Sequence, residues 1–187
     1  MSACVWPGGN EVLKRYHDYE WCIPSYEDTY IFEMLILEGA QAGLSWSIVL
    51  AKREEYRKAF HGFDINYCSG LTDEELEAVR EGCNVIKNKA KLRAVRSNAR
   101  AVLEIQEEFG SFSGFLWSYV ENRPVVNHWS QESQMPTQTS ISEQISRDLK
   151  KRGFKFVGPV IIYSFMQAIG MVDDHVSTCP WHTDNRI

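Results

Sequence analysis

Glu38 is the first residue of this chain to which chemistry can be assigned. On a helical reading Ile31, Leu35, Glu38 and Ala42 share one face, so the carboxylate stands on an apolar stripe where it must find donors or keep its proton. Such a group is either a buried cap for a neighbouring helix or a perturbed carboxylate in a cleft. Glu33, nearly opposite on the same helix, is expected to be solvated. Trp46 follows the turn at Gly43, and a large ring there either lines a cleft or packs into the core. A second group of candidates is Val172-Asp173-Asp174-His175, closing at Cys179. Joined by Cys4 and His17, His175 and Cys179 could supply the two thiolates and two imidazoles of a zinc site, although Cys22, Cys83, His128 and His182 compete by type. Asp173 reads as a helix-end group or as a hydrogen-bond partner for His175. The third candidate is the Gly158-Pro159 turn, whose free N–H groups lie among Lys150, Lys151, Arg152 and Lys155 and suit a phosphate.

These groups need helices to hold them. Residues 1–24 read as an irregular N-terminal arm. Ser25 to Asp28 matches a capping box for the helix carrying Glu38. Gly43 stops that helix, Ser45 caps the next, and this one is expected to run from Trp46 to about Phe60, ending at Gly62. Thr72 with Glu75 caps a short helix. Between Cys83 and Leu103 there is no acidic residue; Leu92, Val95, Ala99 and Val102 form a core stripe, with Lys89, Arg93, Arg96 and Arg100 on a separate face. That cationic row is either solvated surface or a phosphate contact. Ser113 begins an aromatic helix through Phe115, Trp117 and Tyr119, residues 122–139 read as a long loop, and Ser140 with Glu143 caps a helix leading to Gly153. Pro159 then opens a helix that reaches Ile169; Val160, Ile161, Phe165, Ala168 and Ile169 mark it as core, and Gly170 suits the left-handed position that ends it. With no repeat and no alternating strand pattern, the fold class is all-α.

The chain has 187 residues and a formal net charge of −5, enough for one domain or two lobes around a cleft. An acidic total disfavours a nucleic-acid partner without excluding one, because local distribution decides. Five cysteines form no small-domain disulfide framework and read as thiols or metal ligands. No apolar run approaches a membrane span and no secretory pattern opens the chain, so no membrane partner and a cytoplasmic location are expected.

The order of turn, helix, Gly and Val-Asp-x-His resembles the helix-hairpin-helix DNA glycosylases. Cys4, Tyr16-His17, the run Leu37-Glu38-Gly39-Ala40-Gln41-Ala42-Gly43-Leu44-Ser45-Trp46 and Gly153-Phe154-Lys155-Phe156-Val157-Gly158 are similar to the zinc-containing 3-methyladenine DNA glycosylase I family over essentially the whole chain. The resemblance implies a single domain, 1–187, with an arm at 1–24, a helix-hairpin-helix-like element at 140–170 and a tail at 171–187. It implies one structural zinc held by Cys4, His17, His175 and Cys179, tying arm to tail and leaving no coordination position for substrate. The implied activity is base-excision repair: a monomer flips 3-methyladenine out of alkylated double-stranded DNA and hydrolyses its glycosidic bond, leaving an abasic site. Glu38 is then the catalytic carboxylate, Trp46 stacks on the base, Tyr16 and Glu38 meet its polar edge, and Trp6 and Trp21 complete the base site. Gly43, Leu44, Lys155, Gly158 and Ser164 are expected to meet DNA, and Asp173 is a possible second carboxylate.

Two departures qualify this. Phe156 stands where the superfamily hairpin has its first Gly, and Val160 stands where strand-cleaving members carry a Lys, so no Schiff base can form. Two other classes compete with the glycosylase: a non-enzymatic zinc-stapled module that binds DNA through the hairpin, and a small-molecule hydrolase with Cys22 or Cys83 as nucleophile.

Overall fold

The computed structural model describes residues 4–186. Its centre is α2 (Asp28–Gln41), buried continuously from Ile31 to Ala40. Apolar residues fall on most faces of this helix, so it is buried among its neighbours rather than laid on the surface. Around it lie α1 (Glu11–Tyr19), α3 (Trp46–Leu50), α4 (Arg53–Ala59), α5 (Ile65–Gly70), α6 (Asp73–Gly82), α7 (Lys89–Phe109), α8 (Phe112–Trp117), α9 (Ser140–Lys151) and α10 (Pro159–Ala168). The all-α expectation holds, apart from a two-residue parallel ladder in which β1 (Val125–Val126) pairs with β2 (Val172–Asp173). That ladder fastens the 122–139 loop to the tail. No described helix is long and apolar enough to cross a membrane.

Several expectations are corrected. Glu33 is buried rather than solvated, and its carboxylate accepts from Arg53 Nε at 2.6 Å and Arg57 Nε at 2.8 Å. A buried carboxylate keeps its charge only when such partners replace water. The helix expected over 46–60 breaks at Ala51-Lys52, and the second piece, α4, supplies both arginines. The arm is not irregular throughout, because Asn10 accepts from the N–H groups of Val12 and Leu13 and starts α1. No side chain caps α2; Asp28 instead accepts from Phe112 N and Ser113 N, holding the start of α8. The capping box of α9 is Thr139 with Ser142, one residue earlier than expected, and α8 begins at Phe112 behind Ser111. Thr72 and Glu75 cap α6 as expected.

The cationic face of α7 is paired with groups of the chain itself, although Lys89, Arg93 and Arg100 remain exposed. Arg96 pairs with Asp73 at 2.6 Å, Arg93 with the same carboxylate at 3.3 Å, Lys89 with Glu77 at 3.6 Å, and Arg100 donates to the Ser69 carbonyl. Lys91 donates to the carbonyls of Ala40 and Ala42, closing the C-terminal end of α2. The row therefore joins α7 to α5 and α6.

Two backbone positions position the site. In the α9–α10 turn Phe156 takes the left-handed conformation, φ 57°, a strained choice for a bulky residue. Its Cβ faces Gly39, where an added Cβ would stand only 3.1 Å away, so Gly39 admits the turn against α2. Gly170 has φ 72°, and a Cβ there would lie 2.2 Å from the Ile23 backbone. Only glycine fits that crossing. Within α10, Val160 is 49 % exposed rather than core.

Candidate active site and metal centre

The N-terminal half of the fold, the 122–139 loop and α10 line a cavity of about 270 Å³. Glu38 projects from α2, Trp46 from the start of α3 and Tyr16 from α1, with Trp6 and Trp21 from the arm completing an aromatic wall. Tyr16 meets Trp46 edge-on at 5.4 Å between ring centroids, and Trp6 meets Trp21 at 5.2 Å. Every residue assigned to the base site by resemblance therefore lines one space. Gln41, Glu132, Met135, Ser164 and Gln167 also line it. Gln41 and Gln167 were reachable from sequence, three positions after Glu38 and Ser164 on their helices. Glu132 and Met135 come from the 122–139 loop, where no periodicity marks them.

Glu38 is buried and accepts no hydrogen bond among the described residues. Burial alone pushes its pKa up to about 8, because the anion has lost water and gained no donor. Burial, and then Glu38 itself, likewise raise the Tyr16 phenol well above its ordinary value. An aromatic box with an uncompensated carboxylate suits a flat, cationic ligand.

A second cavity of about 240 Å³ shares Glu38, Gln41 and Ser164 with the first and is otherwise lined by Ala42, Gly43, Leu44, Val160 and Ile161. Leu44 is exposed at its rim. Of the five residues expected at DNA, Gly43, Leu44 and Ser164 thus border the cavities. Gly158 and Lys155 do not: Gly158 is the N-cap of α10, and Lys155 is exposed on the turn, its backbone bonded on both sides by Asn98.

Beside the aromatic wall, donor atoms of Cys4, His17 and Cys179 lie within 4.8 Å of one another. The hydrogen bond from Cys4 and then that from His17 hold the Cys179 thiol well below its usual range, while Cys4, paired to Cys179, is raised. His175 is fully buried, its ring centroid 4.7 Å from that of His17. Its Nδ1 bonds Asp173 at 2.8 Å, and its Nε2 has no hydrogen-bond partner. A buried nitrogen without a partner, on a ring packed against that of His17, is compatible with a fourth ligand to a zinc ion at the Cys4-His17-Cys179 cluster, and the bond to Asp173 fixes that ring. Of the competing residues, Cys22 is the near one: its sulfur lies within 4.8 Å of ligand atoms of His175 and Asp173 and accepts from Asp174 N, whereas Cys83 belongs to the end of α6, and His128 and His182 surround Asp184.

Asp173 lines neither cavity. It accepts from His175 N at 3.0 Å, Thr183 N at 2.8 Å and Thr183 Oγ1 at 2.6 Å. Burial would raise its pKa, but the bonds from His175 and Thr183 prevail and hold it far below the carboxylate range. Neither Cys22 nor Cys83 lines the cavities, and burial pushes the Cys22 thiol up, so neither stands where a ligand in the cavities would meet a nucleophile.

Tyr16 and His17 are consecutive on α1, about 100° apart around the helix, so one ring enters the aromatic cavity and the next enters the thiol cluster. Trp21 continues the link, stacked on His17 at 5.8 Å and edge-on to His175 at 4.7 Å.

The Methyladenine glycosylase family model matches residues 6–183. The chain is 43 % identical over 186 residues to DNA-3-methyladenine glycosylase 1 of Escherichia coli (strain K12), covering 100 % of both chains. It is 43 % identical over 182 residues to the DNA-3-methyladenine glycosylase of Haemophilus influenzae, covering 97 % of this chain and 98 % of that one. Among solved structures, 3-methyladenine DNA glycosylase I from Staphylococcus aureus, described for its recognition of 3-methyladenine, superposes with a TM-score of 0.94 at 36 % identity, covering 96 % of each chain.

Proposed function

The chain belongs to the methyladenine glycosylase family, and from that premise we propose that it excises 3-methyladenine from alkylated DNA with Glu38 as its principal active-site carboxylate. The observation that carries the role of Glu38 is its burial, without a hydrogen-bond partner, in the wall of an aromatic cavity.

A base stacked in a duplex cannot reach this cavity, so the nucleotide is extruded, at lower cost when the base is damaged. Alkylation at N3 makes the base of the nucleotide cationic. Trp46 and the other rings receive its face, while Glu38 and Tyr16 receive its polar edge. Glu38 gives that charge the counter-ion it lacks in water-free surroundings, and is itself relieved of its desolvation penalty. The glycosidic bond then breaks with its electron pair leaving on the base, which becomes neutral. Positive charge develops on the sugar, and water adds at that carbon as its proton departs. Little general-acid help is needed for so good a leaving group. Val160 offers no amine, so the strand stays intact and an abasic site remains.

Cys4, His17, His175 and Cys179 would hold one Zn2+, which would supply a structural cross-link between arm and tail and no catalytic function, since four protein ligands close the site. The α9–α10 turn, with Lys155 exposed and the N–H groups at Gly158 and beyond, serves as a helix-hairpin-helix grip on backbone phosphate. Gly43, Leu44 and Ser164 meet the DNA around the extruded nucleotide. The protein acts as a monomer on cytoplasmic double-stranded DNA and releases free 3-methyladenine. A zinc-stapled module that only binds DNA would have no use for a desolvated carboxylate in the wall of an aromatic cavity.

The test is incubation with methylated DNA followed by chromatography of the freed bases. Release of 3-methyladenine is the expected result; DNA binding with no base release overturns the reading.

A further inference from the structure

Three side chains outside the cavity and the thiol cluster converge where the 122–139 loop meets the end of the chain. His128 Nε2 lies 3.0 Å from Asp184 Oδ2, and His182 Nδ1 lies 3.8 Å from the same oxygen. One donor atom of each residue lies within 4.8 Å of one from either of the others. Two ligands bound at ~2.0–2.1 Å to one tetrahedral ion stand roughly 3.3 Å apart, a value bracketed by the two separations to Asp184. We propose that His128, His182 and Asp184 form a second metal site, which takes a divalent cation of the zinc and copper class.

The ligands are already oriented. His182 is fully buried, and its Nε2–H donates to the Asn127 carbonyl at 2.9 Å. A carbonyl on the far nitrogen is the usual means of orienting a ligating imidazole, and it leaves the Nδ1 lone pair facing Asp184. That lone pair accepts a 3.2 Å bond from Asp184 N–H, which a cation would replace. His128 has a pinned neighbour on either side: Asn127 N donates to the Asp173 carbonyl, and Trp129 Nε1 donates to Asp174. Asp184 follows Thr183, held by Asp173, and precedes Asn185, whose N–H bonds the His182 carbonyl. Only the His128 ring and the Asp184 carboxylate, 62 % and 60 % exposed, must adjust, so little chain entropy opposes binding.

Two imidazoles and a carboxylate suit zinc or copper, whereas magnesium and calcium require oxygen donors. Three protein ligands leave a position for water, so this site is weaker and more exchangeable than the buried thiol cluster. An ion here also fastens to the tail the loop that carries Glu132 and Met135 of the cavity wall.

The test begins with metal analysis of the purified protein, which counts the tightly held ion separately. Calorimetric titration with Zn2+, repeated with Cu2+, is then expected to show one further equivalent. His128→Gln and Asp184→Asn should each weaken that equivalent by about tenfold or more, with the tightly held ion and base excision unchanged. Wild-type protein that takes up no further equivalent, or variants that bind it as tightly as wild type, would overturn the site.

Discussion

Glu38 combines two properties that seldom coexist, nearly complete burial and an unpaired carboxylate, and both are measurable. Its pKa of about 8 in the folded protein stands above the ordinary 4.5. Between these values the folded protein binds more protons than the unfolded chain. The stability that this proton confers is therefore complete below about pH 4.5 and lost as pH rises through about 8. Glu38→Gln removes the dependence, so its urea midpoint should fall less than that of wild type between about pH 5 and pH 9. The same substitution should lower excision by roughly a hundredfold and weaken binding of free 3-methyladenine, because both use the carboxylate. For wild type, kcat/KM should climb towards a plateau above about pH 8, a limb absent from the variant. Asp173 has the opposite character, with its oxygens occupied by His175 and Thr183. Asp173→Asn should lower thermal stability and zinc retention while changing single-turnover excision by the folded, zinc-loaded protein only slightly; a loss of orders of magnitude in that rate would exchange the roles of the two carboxylates. Val160 carries the third residue-scale expectation: borohydride should trap no enzyme–DNA adduct, and an adduct surviving denaturation would require an amine nucleophile that this position lacks.

At the scale of elements, the site depends on how closely backbones pass. Gly170 ends α10 with φ 72° while the Ile23 backbone occupies the space a side chain would need. A methyl group there meets both left-handed strain and a main-chain collision that cannot be relieved by rotating a side chain. Gly170→Ala should destabilise the fold by roughly 3 kcal/mol or more, measured as the shift in urea midpoint at constant m-value. Gly39 differs in degree, since a methyl group there would press at 3.1 Å on the Phe156 side chain. The pair also explains how the turn before α10 keeps a left-handed residue without a glycine: the space lost to Phe156 is recovered from α2. The interrupted helix over residues 46–60 has a similar logic. The break frees α4 to bring Arg53 and Arg57 onto Glu33, the carboxylate on the other side of the buried helix from the cavity.

Across the whole molecule, the arm and tail meet directly and through the 122–139 loop, and the cavity is built partly from the arm. Cys4 and His17 belong to one end of the sequence, His175 and Cys179 to the other. Structural zinc in such a set contributes on the order of 10 kcal/mol. Cys4→Ser or His175→Ala should therefore be seen first as loss of stability and soluble yield, while any folded remainder retains its chemistry. Carefully reconstituted protein that contains no zinc would refute this arrangement. Because Trp6, Trp21 and His17 contact one another, chelation should also disturb tryptophan fluorescence from the cavity wall before global unfolding.

The sequence by itself determined the helical class, the course of the longer helices and the site segment from Leu37 to Trp46, because helix periodicity and glycine stops are local properties written within a few turns; it missed α1, α5 and the break between α3 and α4. It also singled out Glu38 as anomalous, since a carboxylate on an apolar stripe needs no tertiary knowledge to be noticed. Glu33 shows where local reasoning stops. Its neighbours on α2 imply a solvated group, and only the approach of α4, twenty residues later, makes it a buried ion pair. The α7 cations are the converse, a basic row by sequence that tertiary contacts with α5 and α6 pair with Asp73 and Glu77 at the surface. Glu132 and Met135 could not be read at all, because a loop residue acquires its role from where the chain is carried, and that path is decided by the β1–β2 ladder and the bonds that Glu132 accepts from Val5 N and Trp6 N of the arm. Local propensities act between neighbours in sequence. The partner that compensates a buried charge, and the wall that closes a cavity, are neighbours only after folding.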